Sequence, residues 1–180
     1  GIRAFDCLEF APKLRWIDVV CDLAFLYMDL VERGRGDRAW GLVNAWATRT
    51  GDHDGLCLLP FYALYRTMVR VKVASLRRGQ LDDAEGRARC DAELEAYLGL
   101  AERFAQRRPS ALVLTCGPSG SGKSHQAARL ARSAGAIHLR SDVERKRLFG
   151  LPPEHRTTEG ERKRLYSDEA TERTFALLEE

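Results

Sequence analysis

The chain has 180 residues, which is more than one average domain and less than two. Its 44% hydrophobic and 31% charged residues are typical of a globular protein, and they exclude a disordered chain, a collagen-like repeat and a small disulfide-rich scaffold. The 29 basic and 26 acidic residues give a net charge of +3 without a clustered basic face, so we expect no nucleic-acid partner.

Cysteine use and hydropathy indicate the compartment. The five cysteines are odd in number and include no C-x-x-C pair or zinc-ligand spacing, which favours reduced thiols in the cytoplasm. The longest apolar stretch near the start, Leu23–Met28, is far shorter than the roughly 20 residues that a membrane span needs. We therefore expect a cytoplasmic protein with no membrane partner, and the sequence leaves the oligomeric state open.

Residues 1–106 have the pattern of a mostly helical domain. Their apolar residues recur at three- and four-residue steps, the period of a helix with one buried face, and no alternating strand pattern occurs after residue 13. Pro60 stands where proline is favoured, at the start of a helix. The predicted helices are Lys13–Glu32, Arg38–Thr50, Phe61–Arg78 and Asp83–Gln106.

The character of the sequence changes after residues 107–110, which we interpret as a linker. The apolar run 111–116 predicts a buried strand, and the segment after the following glycine-rich turn predicts a helix to about residue 133. A second apolar run, 136–139, precedes helical character over 142–149. Because strand, loop and helix follow one another, we expect residues 111–180 to belong to an α/β domain with a parallel sheet.

The turn at residues 117–124 has the sequence GPSGSGKS, which fits the P-loop (Walker A) pattern G-x-x-x-x-G-K-[ST]. Glycine lets the backbone turn without a Cβ in the way, so that consecutive amides converge on a phosphate. The predicted strand before the turn and the helix after it are the context that this pattern requires. The expected phosphate cradle consists of Gly117, Ser119, Gly120, Ser121 and Gly122.

Two side chains at the end of this turn have distinct expected roles. Lys123 would place a mobile charge between the β- and γ-phosphates, which makes it a candidate catalytic residue. The Ser124 hydroxyl would complete the octahedral shell of a Mg²⁺ ion that otherwise keeps its waters. The sequence therefore predicts ATP and Mg²⁺ as cofactors.

Asp142 follows the second apolar run directly, which places it at the carboxyl end of a predicted strand, where open α/β sheets bind ligands. A carboxylate there could accept a proton from an acceptor hydroxyl as it attacks the γ-phosphate. Arg140 and Arg145 are candidates for holding the anionic groups. The alternative is that Asp142 caps the helix that runs to Phe149, and the two roles can coexist.

The second half resembles a known family in three places: residues 117–124, residues 135–150 (GAIHLRSDVERKRLFG), and LYS with EAT at residues 165–171. These look like the ATP-binding half of the bifunctional aminoglycoside phosphotransferase/ATP-binding proteins, labelled AAA-family ATPases. That half is similar to small-molecule P-loop kinases of the gluconate-kinase and zeta-toxin kind. The resemblance implies ATP and Mg²⁺ at residues 117–124 and an acceptor-side role for Asp142, and it leaves the acceptor unnamed.

The first half resembles the end of the kinase-like, aminoglycoside phosphotransferase-like lobe of the same family, through FDCLEF at residues 5–10 and LRWIDVVCDLA at residues 14–24. The resemblance implies that Asp6 matches a metal-binding aspartate. It also implies that Asp22 braces the catalytic loop from a helix. Without the resemblance, Asp6 is only an acid after a short strand.

Several parts of both catalytic machineries are missing from the sequence. No phosphate-covering loop or catalytic loop precedes Asp6, and no apolar run ending in an aspartate follows Asp142 to supply the second magnesium-positioning acid. We therefore expect a helical remnant of a kinase-like lobe joined to the start of a P-loop domain with an incomplete sheet. We also expect a fragment of a longer protein, with weak nucleotide affinity by itself.

The function that these features favour is an ATP-dependent phosphotransferase acting on a hydroxyl-bearing small molecule. A second hypothesis is a non-catalytic ATP-binding switch that couples nucleotide occupancy to the helical domain. A third is an ATPase acting on nucleic acid or protein. The absence of a basic face argues against nucleic acid.

Overall fold

The computed structural model describes residues 16–106, 110–118 and 120–179, which form two compact units. The first unit contains residues 16–32 and 55–106, and the second contains residues 33–54 and the described residues from 110 onward. The helices in chain order are α1 (Val19–Glu32), α2 (Gly36–Thr50), a 3₁₀ turn (Asp54–Leu58), α3 (Leu59–Gly79), α4 (Ala84–Ala105), α5 (Lys123–Ala134), α6 (Ser141–Leu148), α7 (Glu159–Leu165) and α8 (Asp168–Glu179).

In the first unit, α1 packs against α3, and α3 packs against α4. Met28, Tyr97 and Leu100 are buried together and form the core of this unit. Pro60 stands in the first turn of α3, as the sequence predicts, because its missing N–H costs nothing there. The Asp83 side chain accepts a hydrogen bond from the Gly86 amide and so caps the first turn of α4. The three helices that the sequence predicts here are present, and the ends of α3 and α4 differ by one or two residues from the predicted ones. α1 begins at Val19 and not at Lys13, and residues 13–15 of the prediction lie outside the described part of the chain.

In the second unit, α2 packs against α5, and α8 packs against both α6 and α7. The buried residues of α2 are Ala39, Val43 and Ala47, which lie four residues apart on one face of the helix. Gly51 ends α2 in the left-handed conformation, with a φ of 75°. α2 therefore belongs to the same compact unit as the P-loop segment, although the predicted domain boundary lies at residues 107–110.

The main difference between the prediction and the structure concerns the parallel sheet. No strand is present among the residues that the structure describes, so this part of the chain is helical and the α/β fold class was wrong. Residues 111–118 have no regular structure, and Leu112 and Leu114 are 84% and 81% exposed. A strand needs a neighbouring strand to pair its amides and carbonyls, and none of the described residues supplies one here.

The second predicted strand, residues 136–139, bonds to a side chain of α2 and not to another strand. The Asn44 side chain donates from Nδ2 to the Ala136 carbonyl at 3.0 Å, and its Oδ1 accepts from the His138 amide at 2.6 Å. One side-chain amide thus bonds the two backbone groups that a neighbouring strand would pair. The segment is held by α2 and not by a sheet.

Candidate functional site

The glycine-rich loop leads directly into α5, as the P-loop pattern requires. Gly120 and Gly122 have φ values of 80° and 82°, in the region where a side chain is strained. No heavy atom lies within 4 Å of the position that a Cβ would take at either glycine, so the space beside the backbone is open. The backbone at Gly120 and Gly122 is therefore open to the close approach of a ligand.

The N-terminus of α5 has no side-chain cap. Gly122 is the N-cap residue, and its carbonyl accepts from the His125 and Gln126 amides at 3.0 and 3.1 Å. No acidic residue stands in the first turn of α5 to neutralise the positive end of the helix dipole. An uncapped helix start that follows an open glycine loop is an arrangement suited to binding a phosphate.

Lys123 reaches back across the loop. Its Nζ donates to the Pro118 carbonyl at 2.9 Å, and the same carbonyl accepts from the Ser121 amide at 3.3 Å. The lysine side chain thereby holds the loop in its turn. A bound phosphate would have to replace this contact, and its negative charge makes it a stronger partner for an ammonium group than a neutral carbonyl.

A cavity of about 340 Å³ lies beside Ser124. Ser124 and Arg140, two of the predicted site residues, both line it. The opposite wall is α2, which contributes Asn44 and Arg49 among others. The structure therefore brings the expected magnesium ligand and one expected anion-binding arginine to the same cavity.

Asp142 does not line this cavity, and its carboxylate contacts Lys146 on α6 and Tyr166, the residue that follows α7. Its Oδ1 accepts from the Tyr166 hydroxyl at 2.6 Å, and its Oδ2 forms an ion pair with the Lys146 Nζ at 2.9 Å. Partial burial acts to raise the pKa of Asp142, but the hydrogen bonds from Tyr166 and Lys146 and the charges of Lys146 and Arg140 outweigh it and lower the pKa. The carboxylate is therefore ionised at neutral pH and is fixed in position.

Arg145 is buried between α6 and α8 and also lies away from the cavity wall. Its guanidinium lies 4.5 Å from the centre of the Tyr166 ring, and Nε donates to the Thr174 hydroxyl at 3.4 Å. These contacts are those of a packing residue. The structure thus places Arg140 at the cavity and Arg145 in the interior.

Asp6 and Ser119, the other two predicted site residues, lie outside the described residues. Among the residues described, no group of three or more His, Cys, Asp or Glu side chains is arranged to hold a metal ion. The Ser124 hydroxyl at the start of α5 fits a single ligand of a Mg²⁺ ion, which commonly keeps several waters and takes others from the nucleotide phosphates.

The sequence reasoning missed the part of the site that α2 supplies. Asn44, Arg49 and Arg132 line the cavity with Ser124, yet none of them belongs to a motif. The one signal was Asn44, the only asparagine in the sequence, which stands between Val43 and Ala47 on a helix with a buried apolar face. A polar residue in that setting indicates a specific hydrogen-bond partner.

Comparisons with known proteins agree with the loop geometry. Residues 112–180 match the model of the family AAA_33, described as an AAA domain. This match supports a P-loop ATPase or kinase family. It therefore supports a nucleotide-binding function of the kinase or ATPase kind, for which ATP and Mg²⁺ are the usual cofactors. It does not support the fusion to an aminoglycoside phosphotransferase-like lobe.

Relatives extend the similarity into the first half of the chain. Uncharacterized proteins of Mycobacterium bovis and of two Mycobacterium tuberculosis strains are each 37% identical to the chain over 143 residues, which is 79% of its length. The matched region spans only 28% of the length of these relatives. No solved structure matches the chain. Within the described part of the chain, no helix has the length and apolar character to span a membrane.

Proposed function

We propose that the chain binds ATP with Mg²⁺ at residues 117–124 and takes part in transferring the γ-phosphoryl group to a hydroxyl-bearing small molecule. The observation that carries the proposal is the open glycine loop followed by the uncapped start of α5. Backbone amides and a helix N-terminus directed at one point stabilise phosphate charge. The match of residues 112–180 to an AAA domain supports the nucleotide-binding part.

The residues of the loop have complementary roles in this proposal. Lys123 exchanges its contact with the Pro118 carbonyl for the phosphates. Ser124 holds the metal, and Arg140, at the adjoining cavity, stabilises charge on the transferring group. When bound, MgATP supplies the phosphoryl group and a metal ion that neutralises the phosphate charge.

Asp142 is the proposed acceptor of the hydroxyl proton. In the reaction the acceptor oxygen bonds to the γ-phosphorus, the bond from that phosphorus to the β–γ bridging oxygen breaks, ADP leaves, and the hydroxyl proton passes to the carboxylate. Ionisation at neutral pH, which the lowered pKa ensures, is the state that this role needs. The role also requires the carboxylate to give up a contact with Tyr166 or Lys146.

A nucleotide-dependent switch is the second candidate, and the packing of α2 against α5 favours it. Because α5 begins at the phosphate loop, a change at Lys123 on nucleotide binding would reach a helix outside the AAA match. In this case the chain binds ATP and changes the contacts of α2 without transferring phosphate. The two candidates share the nucleotide site and differ in what Asp142 does.

Two substitutions test the proposal. We expect Lys123→Ala to weaken MgATP binding at least tenfold, about 1.4 kcal/mol, in calorimetric titrations. Lys163→Ala, an exposed lysine of α7, is the matched control and should leave the affinity unchanged. Unchanged affinity in Lys123→Ala, or no binding by the unmodified protein, would contradict the nucleotide site.

Asp142→Asn separates the two candidate functions. For a phosphotransferase we expect retained MgATP affinity and a loss of at least a hundredfold in γ-phosphate transfer, measured with labelled ATP and a panel of sugars, nucleosides and aminoglycosides. A switch predicts no labelled product with either protein and unchanged ATP affinity. Equal transfer by both proteins would remove Asp142 from the mechanism.

A further inference from the structure

The cavity beside Ser124 has one wall that the AAA match does not include. α5 provides Ser124 and Arg132, whereas α2 provides Asn44, Thr48 and Arg49 from a segment that precedes residues 112–180. Its volume, about 340 Å³, is in the range of sites that bind small molecules. The α2 wall therefore adds a surface that the nucleotide-binding loop alone does not have.

Three arginines line this cavity, namely Arg49, Arg132 and Arg140, against a single acid, Glu154. Among the described residues, none of the three guanidinium groups forms an ion pair with a carboxylate. By contrast, the two arginines of this unit that are buried or half-buried both have partners, Arg145 in Thr174 and Arg147 in the buried Glu144. Three arginines that line one concave site, with a single acid among the other lining residues, favour an anionic occupant.

The cavity is built by specific contacts and is not a loose gap between helices. Asn44 joins α2 to residues 136–138 through its bonds to the Ala136 carbonyl and the His138 amide. The side chain of Arg132 lies against Gly41, where a Cβ would approach its Nε to 3.4 Å. This is an ordinary van der Waals distance, so the Arg132 side chain packs directly against α2 at this point.

The pKa of His138, another residue that lines the cavity, reflects its burial and the nearby charge of Arg140. Partial burial lowers the pKa of His138, and the positive charge of Arg140 lowers it further. The imidazole is therefore neutral at pH 7 and can donate or accept a hydrogen bond in the cavity. The smaller of the two causes is the positive charge of Arg140, and a positive charge beside His138 favours an anion in the cavity.

We propose that this cavity binds the anionic group, a carboxylate or a phosphate, of the phosphoryl acceptor, with Arg49 and Arg132 as its ligands. The acceptor role rests on the proposed function, because it places the anion next to the loop that would hold ATP. The nucleotide phosphates have their own partners in the loop amides and Lys123. The α2 wall thus selects the acceptor.

The test is a calorimetric titration of the protein saturated with Mg²⁺ and a non-hydrolysable ATP analogue. Inorganic phosphate and citrate are the two probes, and they distinguish a phosphate from a carboxylate ligand. We expect Arg132→Gln and Arg49→Gln each to weaken binding of the preferred probe at least tenfold. Arg129→Gln, an exposed arginine on α5 that does not line the cavity, should have no effect.

A second readout follows His138 by NMR. We expect the probe to raise the pKa of His138, because an anion nearby stabilises the imidazolium, and we expect Arg132→Gln to reduce that rise. No binding by the nucleotide-saturated protein, or equal losses in all three arginine variants, would overturn the proposal. Displacement of the ATP analogue by the probe would also overturn it, because the anion would then belong to the nucleotide site.

These results separate the inference from the proposed function. If the ATP analogue does not bind, the nucleotide site fails, and the probe titrations on the Lys123→Ala protein still test the cavity alone. If the analogue binds and neither probe does, the cavity proposal fails and the nucleotide site stands.

Discussion

Each of the two units is stabilised internally by a different kind of interaction. In the first unit, α1, α3 and α4 meet around Met28, Tyr97 and Leu100, an apolar core that needs no directional bonds. The second unit also buries apolar residues, such as Val43 and Val143, but several of its connections are made by polar side chains. Glu144 is buried, it pairs with Arg147, and the Arg147 guanidinium donates to the Thr48 carbonyl at 2.8 Å near the end of α2.

The difference shows how each unit responds to a change of sequence. Apolar packing depends on volume, so related side chains of similar size can replace one another at modest cost. Buried polar groups depend on their partners, because a donor or acceptor left without one pays its full desolvation cost. The first unit should therefore be sensitive to the loss of bulk, and the second to the loss of single hydrogen bonds.

The largest expected effect is the removal of bulk from the first unit. Met28 is completely buried, and Met28→Ala would leave a cavity next to Tyr97 and Leu100. We expect the free energy of unfolding to fall by about 2–5 kcal/mol. Urea denaturation followed by circular dichroism measures this change.

Met68 provides the matched control, because it is on α3 of the same unit and its side chain is 46% exposed. Met68→Ala should change the free energy of unfolding by less than about 0.5 kcal/mol. Equal losses in both variants would show that the core of the first unit is not the cluster around Met28.

Local patterns predicted the helices of both units. The three- and four-residue apolar spacing, the proline at position 60 and the glycine at position 51 gave bounds for α2, α3 and α4 within about two residues of the observed ones. The sheet could not be predicted in the same way, because a strand depends on neighbours that no local pattern supplies. Residues 136–138 have the apolar pattern of a strand and bond instead to Asn44, more than ninety residues earlier in the chain.

The part of the site that lies in one contiguous motif could be predicted from the sequence, and the part that depends on a distant helix could not. The loop and the first turn of α5 form one contiguous motif, and each residue of that motif has a type that its chemistry requires. The cavity depends on α2, and the arginine spacing along the chain contains no sign that Arg49 and Arg132 meet. The sequence favours Arg145 as an anion ligand because it lies near Asp142, although burial on α6 directs its side chain toward Thr174.

The next prediction concerns the polar contacts of the second unit. Asn44→Ala removes the partner of the Ala136 carbonyl and of the His138 amide. We expect a loss of about 0.5–1.5 kcal/mol in the free energy of unfolding, because two backbone groups lose their bonds in a segment where water can partly replace them. Hydrogen exchange of the His138 amide should become faster in the same variant, which NMR measures residue by residue.

Asn44→Asp is the control that separates the two bonds. An aspartate keeps an oxygen for the His138 amide and loses the donor to the Ala136 carbonyl. The His138 amide should therefore stay protected, although the protein is less stable than the original. Fast exchange in both variants would show that position 44 acts through its shape and not through its hydrogen bonds.

The smallest expected effect is on the hydroxyl that holds Asp142. Tyr166→Phe keeps the ring beneath Arg145 and removes the donor to Asp142 Oδ1. Because this hydrogen bond is one of the causes that lower the pKa of Asp142, we expect the pKa to rise toward its ordinary value. NMR titration of the Asp142 carboxyl carbon measures it, with Tyr65→Phe, an exposed tyrosine of the first unit, as control.

The sign of the pH dependence follows from this shift. A carboxyl whose pKa is lowered by folding stabilises the folded protein above its ordinary pKa, and that contribution is lost as the pH falls through the lowered value. The stability difference between the original protein and Tyr166→Phe should therefore be largest at neutral pH and narrow in acid. If Asp142 accepts the proton in phosphoryl transfer, the acid limb of the rate profile should move to higher pH in this variant. An unchanged acid limb together with a raised pKa of Asp142 would show that another group accepts the proton.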